Sequence, residues 1–523
     1  MDFNQLKRLY YTLKHLKFTQ VYHQIKYRLI KPKRVVTPSD GSFAKIDLID
    51  FPKKKSSLMI TDDKWCFDFL NIEHSFTNKS LDWSFEDYGM LWTYNLNYFD
   101  WLNQADMSKE QGIETLSQFY ATHAEKNLII LNPYPTSLRI INIAKFISKW
   151  DIKEDWLYYQ LLSDLKFLSG RLEYHLLANH LLENAFALYI GGLITSQKVF
   201  IRKGKKLLLA ELKEQILNDG MHYERSSMYH LIILERLLDA FNFAIRTKDD
   251  LVSELKKYTI KMTGLAMNWQ YLDRIPMMQD SAYDIALSVP VLLDYSKSLL
   301  GKEYPSKPNE LQDSGYKNIK SRDLRLIANV GSIGPSYQPA HAHSDELGFE
   351  LFYLNHPLVV NTGVSTYDKN EIRAKERSSY SHNCVSIKNK NLSDIWSGFR
   401  VGKRAIVTSK SEPYVINASC KSELIEILRK FEMRPTGLII EDRVRVNNGE
   451  PTQGCLHIHP DIELQKLDSF VFKASDILIS IFTDKDEVRI EDYTYCKGYN
   501  NRVPAKKLVY SIQNQANVEF RKV

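Results

Sequence analysis

Lys302-Glu-Tyr-Pro-Ser-Lys-Pro-Asn-Glu-Leu-Gln-Asp-Ser-Gly-Tyr-Lys-Asn-Ile-Lys320 divides the 523-residue chain into two kinds of pattern. The segment is polar and carries two prolines and a glycine, so it neither continues a helix nor belongs inside a central strand. Upstream of it, from about residue 85 to 300, apolar residues recur at helical spacing, predicting helices over 100–105, 112–123, 137–148, 156–186, 203–217 and 226–245. The last is the clearest, with Met228, Leu231, Leu234, Leu237, Leu238 and Phe241 on one face. Downstream the runs are short, β-branched and separated by turn residues, predicting strands over 324–330, 347–354, 358–360, 405–407, 424–431, 438–446, 455–458, 477–482 and 508–512. A helical block followed by a β block means two domains in series, an α+β multidomain chain with a helical toroid or bundle before an antiparallel sandwich. The expected division is 1–50, an N-terminal arm; 51–310, helical; and 311–523, β-sandwich.

The chain carries 70 Lys+Arg and 63 Asp+Glu, a net +7, and the excess is local. Residues 1–35 hold Lys7, Arg8, Lys14, Lys17, Lys26, Arg28, Lys31, Lys33 and Arg34 against Asp2 alone, which leaves 61 basic and 62 acidic residues elsewhere. A near-neutral body argues against a nucleic-acid binder. The arm itself has helical periodicity (Leu6, Leu9, Tyr10, Leu13, Leu16, Val21, Ile25, Leu29) among its basic residues. It suits either a helix packed on the body or one lying on an anionic membrane surface. The Thr37-Pro-Ser-Asp-Gly41 stretch follows it. The longest apolar run, Phe186 to Ile194, is far below the ~20 residues that span a bilayer, and the N-terminus has no continuous apolar core of a signal peptide. Five scattered cysteines without a C-x-x-C read as free thiols in a reducing compartment, so the expected location is cytoplasmic, peripheral to the inner membrane if the arm binds lipid.

Three polar clusters interrupt these patterns. Glu173-Tyr-His-Leu-Leu-Ala-Asn-His-Leu-Leu-Glu-Asn184 reads as part of the 156–186 helix, with His175, Asn179 and Glu183 on one face and His180 and Asn184 on the next. Such side chains need partners or a cleft. Asn218-Asp-Gly-Met-His-Tyr-Glu-Arg-Ser-Ser-Met-Tyr-His230 contains a turn and then a helix start, with Ser226 or Ser227 as N-cap and Tyr229 and His230 in the first turn. In Pro339-Ala-His-Ala-His-Ser-Asp345, His341 and His343 point the same way if extended and can converge on one ligand or metal, with Asp345 near enough to orient an imidazole. Ser381-His-Asn-Cys-Val385 opens a further strand.

These stretches, in this order, resemble the heparinase II/III family of polysaccharide lyases. The resemblance covers roughly 80–460 and includes Tyr94-Asn-Leu-Asn-Tyr-Phe-Asp-Trp101, Pro133-Tyr-Pro-Thr-Ser-Leu-Arg-Ile-Ile-Asn142, Asn179-His180, Glu224-Arg-Ser-Ser-Met-Tyr-His230, His341-Ala-His343 and Arg377-Ser-Ser-Tyr-Ser-His-Asn383. It implies an incomplete (α/α) toroid before the sandwich, a cleft between them, and β-elimination at a uronic acid of an acidic polysaccharide or oligosaccharide. Removing the proton alpha to a carboxylate builds charge on that group, so the site must neutralise it. The resemblance assigns that task to Asn179 and His341, and makes Tyr229 base, acid or both. His180 is the runner-up base, and Glu224, Arg225 and His230 are substrate-side neighbours. It further implies a divalent metal such as zinc at His343, His382 and a hairpin carboxylate, in whose place stands Asn361, a poorer zinc ligand. Two other readings compete. One is a non-catalytic glycan-binding or assembly factor for polysaccharide biosynthesis at the inner membrane. The other is a glycoside hydrolase, for which Glu183, Asp219 and Glu224 are the suitable acids.

Overall fold

The computed structural model describes all residues except 1–2, 31–32, 37, 39, 62, 78–80, 123–129, 273 and 448. Asp2, Lys31, Thr37, Ser39 and His123, which entered the sequence reading, lie outside the described residues. Two helices open the chain, α1 (Phe3–Leu13) and α2 (Phe18–Leu29). A three-stranded antiparallel sheet over Leu58–Ile60, Lys64–Phe69 and Ile72–Thr77 follows. The helical run is α3 (Met90–Tyr98), α4 (Lys109–Thr122), α5 (Pro133–Trp150), α6 (Asp155–Gly170), α7 (Ala178–Ile194), α8 (Lys198–Gln215), α9 (Ser227–Thr247), α10 (Val252–Trp269) and α11 (Val289–Leu300). From Tyr316 onward the regular structure is strands, apart from the short helix α12 (Glu371–Glu376) and a 3-10 turn at Ser379–Ser381. Helices before antiparallel sheets is the expected order. Among the described residues no helix is long and apolar enough to cross a membrane.

The predicted helix over 156–186 is two helices. α6 stops at Gly170, and residues 171–177 form a non-helical connection that re-enters at α7 through Leu177 and Ala178, both at positive φ. The connection is held by its own polar groups, since the Asn184 side-chain oxygen accepts the Glu173 N–H at 2.8 Å. His175 and Asn179 therefore do not share a helical face. α7 is buried almost all round and packs against α5, α6, α8 and α9. Its approach to α8 depends on glycines: a Cβ on Gly204 would lie 2.6 Å from Tyr189 N. The apolar face of α9 is buried as its spacing requires, each such Leu, Ile or Phe contributing roughly 1.5–3 kcal/mol.

The sandwich sets an eight-stranded sheet against two four-stranded ones, all antiparallel. The large sheet runs Ile406–Glu412, Val415–Lys421, Ile425–Arg434, Gly437–Val446, Gln515–Lys522, Ile477–Thr483, Val471–Ala474, Leu464–Lys466. Opposite lie Val488–Gly498, Asn501–Ile512, Thr452–His457 and Val385–Ile387, beside Tyr316–Lys320, Leu324–Asn329, Phe349–Tyr353 and His356–Val359. A Val359–Ile458 bridge joins these two. Phe431, Ile440, Val518 and Ile481 are cross-strand neighbours in one buried row, so a one-residue slip in any strand would turn core side chains outward. Within that core the Arg429 guanidinium pairs with Asp442 at 2.7 and 2.8 Å and donates to the Leu347 and Asn383 carbonyls, both at 2.8 Å. The loops that carry the third polar cluster are thus tied to the sandwich.

Candidate active site

Three backbone segments meet where the helical layer faces the sandwich: the start of α7, the start of α9, and the loop 339–346. Ser226 caps α9 by accepting the Tyr229 N–H at 3.1 Å, and its hydroxyl donates to the Asp280 carbonyl at 2.6 Å. This fixes Tyr229 in the first helical turn, as the cap signal predicts. The Tyr229 ring stacks on His341 with centroids 3.9 Å apart, and its hydroxyl lies 3.3 Å from that of Tyr367. Asn179 Nδ2 approaches His341 Nε2 at 3.5 Å. Asn179, Tyr229 and His341 are brought together. Glu224 joins them: it accepts the Asn179 backbone N–H at 3.0 Å and Nδ2 at 3.3 Å, and its other contact is His341 Nε2 at 3.4 Å.

Asp280, which the sequence reading did not single out, organises the cluster. Its carboxylate takes His341 Nδ1 at 2.9 Å, His343 Nε2 at 2.8 Å and a two-pronged contact from Arg373, Nη2 at 2.6 Å. His341 and His343 do converge, but on a carboxylate. Burial opposes the charge on Asp280, yet Arg373 and the two imidazoles override it and hold the carboxyl well below its usual range. Asp345 orients no imidazole. It binds Gln279 Nε2 at 2.9 Å, and Gln279 in turn accepts the His343 N–H at 2.6 Å. Tyr367 and Arg373 are further residues missed in the sequence, and Arg373 lies over the Tyr367 and Phe399 rings.

His180 lies beside this cluster, its ring 4.5 Å from that of Tyr134. Its Nδ1 meets Glu173 at 3.0 Å, and Glu173 also accepts from Asn184 at 2.9 Å. Burial disfavours the imidazolium, but Glu173 and the nearby Glu224 and Glu183 outweigh it and raise the His180 pKa. Burial pushes the Tyr229 phenol well above its ordinary value, and Asp280 and Glu224 push it the same way.

Other expected residues stand apart. His230 Nε2 is bonded to the Met262 carbonyl at 3.1 Å in the core, where burial lowers its pKa to about 4. Arg225 turns its guanidinium to the Ser332 carbonyl and packs against Gly331 and Gly334, away from Tyr229. Its backbone, at positive φ, is clamped by the Tyr316 hydroxyl at 2.8 Å. The acids of a hydrolase are otherwise engaged. Asp219 accepts four backbone N–H groups, of Met221, Gln312, Asp313 and Ser314, at 2.8–3.1 Å. Glu183 is buried against Arg236, and burial raises it to about 8.

The expected metal residues form a chain instead of a convergent set. Asn361 Oδ1 lies 2.8 Å from His382 Nδ1, His382 Nε2 lies 3.2 Å from His343 Nδ1, and His343 Nε2 meets Asp280. Asn361 and His343 thus sit on opposite nitrogens of His382, and one ion cannot take all three. Among the described residues no group of three or more His, Cys, Asp or Glu side chains is placed to hold a metal. Asn361 meets His382 through its oxygen, an acceptor, while its Nδ2 is directed at Met278 Sδ at 3.6 Å. Burial and His343 hold His382 well below its ordinary pKa. Asn361, His382 and His343 do not converge on one point in this arrangement.

Glu350 ties the Asp280 segment to the hairpin by accepting from Met277 N at 3.1 Å and Asn361 N at 3.0 Å. Burial raises its carboxyl to about 8 despite both donors. Its folded pKa thus exceeds the unfolded value of about 4.3, so its contribution is complete below pH ~4.3 and is lost as pH rises through about 8. Glu350→Gln keeps the acceptor oxygen and removes the titration. Melting curves at about pH 6 and pH 9 should show the wild type losing more stability than the variant, by on the order of a few kcal/mol. Parallel losses would contradict this assignment.

Two family models match the chain: the heparinase II/III N-terminus over residues 86–291 and the heparinase II/III-like C-terminal region over 304–521. A search of curated proteins found no match. Among solved structures, a heparinase III is 14% identical with a TM-score of 0.66, over 86% of this chain and 80% of that one. The heparan sulfate lyase HepC from Pedobacter heparinus is 15% identical with a TM-score of 0.56, over 96% and 88%. A Streptomyces coelicolor A3 chondroitin AC lyase is 8% identical with a TM-score of 0.51, over 83% and 74%. At these identities the likeness is one of fold. With both family models matched in order across the helical and sandwich parts, the chain belongs to the heparinase II/III-like family.

Proposed function

We propose that this protein is a carbon–oxygen lyase that cleaves a uronate-containing acidic polysaccharide by β-elimination. The observation that carries the reading is the meeting of Asn179, His341 and Tyr229 from three separate segments. The Asn179 amide and His341, oriented from behind by Asp280, bracket the uronate carboxyl group and neutralise the charge that builds on it as the C5 proton leaves. Tyr229 takes that proton and returns one to the departing O4, so the C4–O4 bond breaks as the C4–C5 double bond forms. Its high pKa suits the donation; abstraction draws on the small phenolate fraction, so kcat/KM should rise with pH on the alkaline side of neutral. His180, whose raised pKa favours the cation, serves better as a positive neighbour than as the base. Glu224 occupies the polar groups that the substrate carboxyl needs, and burial raises its pKa, which eases its protonation as a second carboxyl group enters. Supporting the reaction class, the structural relatives are named as lyases of heparan and chondroitin chains.

We also place the protein in bacterial surface-polysaccharide metabolism, on the cytoplasmic side of the inner membrane. All five cysteines are buried and unpaired, which suits a reducing compartment. A non-catalytic glycan-binding factor is the second reading, favoured by Glu224 lying on the carboxyl-binding pair. A panel of uronate glycans, followed by the ultraviolet absorbance of the unsaturated product, separates the two. Product formation supports the lyase. Glycan binding without product supports the second reading.

A further inference from the structure

The N-terminal helices present their faces in reverse. The polar side of α2 meets the body: Gln20 is buried and reaches the Leu176 and Tyr337 carbonyls at 3.4 and 3.5 Å. Tyr27 donates to the Leu172 carbonyl at 2.5 Å, and His23 packs on Tyr174. Phe18, Val21, Tyr22, Ile25 and Leu29, one continuous helical stripe, face solvent, with Phe18 83% and Leu29 79% exposed. In α1, Arg8 pairs with Asp394 at 2.8 Å and Thr12 donates to the Val401 carbonyl at 3.2 Å, while Leu6, Tyr10 and Leu13 are exposed. A helix on a globular body ordinarily buries its apolar stripe, and an exposed contiguous one marks an interaction surface. Of the 26 large hydrophobic residues exposed on the described surface, 11 lie between Leu6 and Val36, so exposed apolar side chains are concentrated on this arm.

The charges around the stripe identify the partner. Lys7, Arg8, Lys17 and Arg34 are held by Glu423, Asp394, Glu214 and Asp164. Lys14, Lys26, Arg28 and Lys33 pair with no carboxylate among the described residues. We propose that this two-helix strap docks the protein on an anionic lipid bilayer, its apolar stripe at the acyl boundary and its unpaired cations among the headgroups. Because α1 is bound to the sandwich and α2 to the helical layer, docking holds both in one orientation to the surface. The proposal rests on the strap alone and stands whether or not the chain cleaves a glycan.

Sedimentation of the full chain with phosphatidylcholine vesicles, with and without phosphatidylglycerol, tests it. Binding is expected with phosphatidylglycerol, weaker at high salt, and at least about tenfold weaker in the Phe18→Gln, Tyr22→Gln, Ile25→Gln, Leu29→Gln variant. The single Leu29→Glu variant, with an unchanged melting curve, should also bind more weakly. No binding to phosphatidylglycerol vesicles, equal binding to neutral vesicles, or undiminished binding by either variant would overturn it. So would a stripe-dependent dimer without vesicle binding, which would assign the face to a second copy of the chain.

Discussion

Tyr229→Phe is expected to lower kcat on a uronate glycan by about 10²–10⁴-fold while leaving KM and the melting temperature nearly unchanged. The substitution removes only the oxygen that meets Tyr367. It keeps the ring stacked on His341 and the Ser226 cap at the helix start. Binding and fold are therefore preserved, and the loss falls on proton transfer. The rival assignment makes His180 the base. In that case His180→Ala, and not Tyr229→Phe, would produce the large fall, and the ascending limb of the pH profile would follow an imidazole. Steady-state kinetics of the two variants decide between them.

Asp280→Asn is expected to be the most destabilising single change in the site, costing about 3–5 kcal/mol. The isosteric amide removes the negative charge but leaves the Arg373 guanidinium fully buried against it, with the same two-pronged geometry unable to be satisfied. It also weakens the hold on His341 Nδ1 and His343 Nε2, so kcat should fall together with stability. A double variant with Arg373→Met separates the two effects. If an unpaired buried cation is the cause, the double variant should be more stable than the sum of the single losses implies. Strict additivity in denaturant unfolding would contradict it.

The fold was largely legible because its two halves obey different periods. α9 shows its period in its apolar residues, and Ile425–Arg434 shows it in Ile425, Ile427, Phe431 and Met433, with the paired Arg429 between them. The strands that escaped notice, such as Val415–Lys421 and Val488–Gly498, alternate polar residues on their outer face and carry few β-branched ones in a row. The break after α6 was missed because leucines continue on both sides of it, though Gly170 marks the stop. In the site, Asn179, Tyr229, Glu224 and His341 were readable as polar residues in conspicuous motifs. Asp280 was not, because Met277-Met-Gln-Asp-Ser281 is an unremarkable loop whose importance lies in what the fold brings to it from Arg373 and the 341–343 loop. His230 and Arg225 lie apart from Tyr229 because adjacency in sequence says nothing about which side of a helix start a side chain takes. Here one enters the core and the other leaves at a positive-φ turn.

Elimination across C4–C5, as proposed, adds no water to the cleaved chain. Digestion of a responsive uronate glycan in ¹⁸O-labelled water, followed by mass spectrometry of the fragments, tests it most directly. An unsaturated uronate is expected at the new non-reducing end, with no label in the newly formed ends at the moment of cleavage. Saturated fragments one water heavier, with ¹⁸O at the cleaved bond, would contradict it.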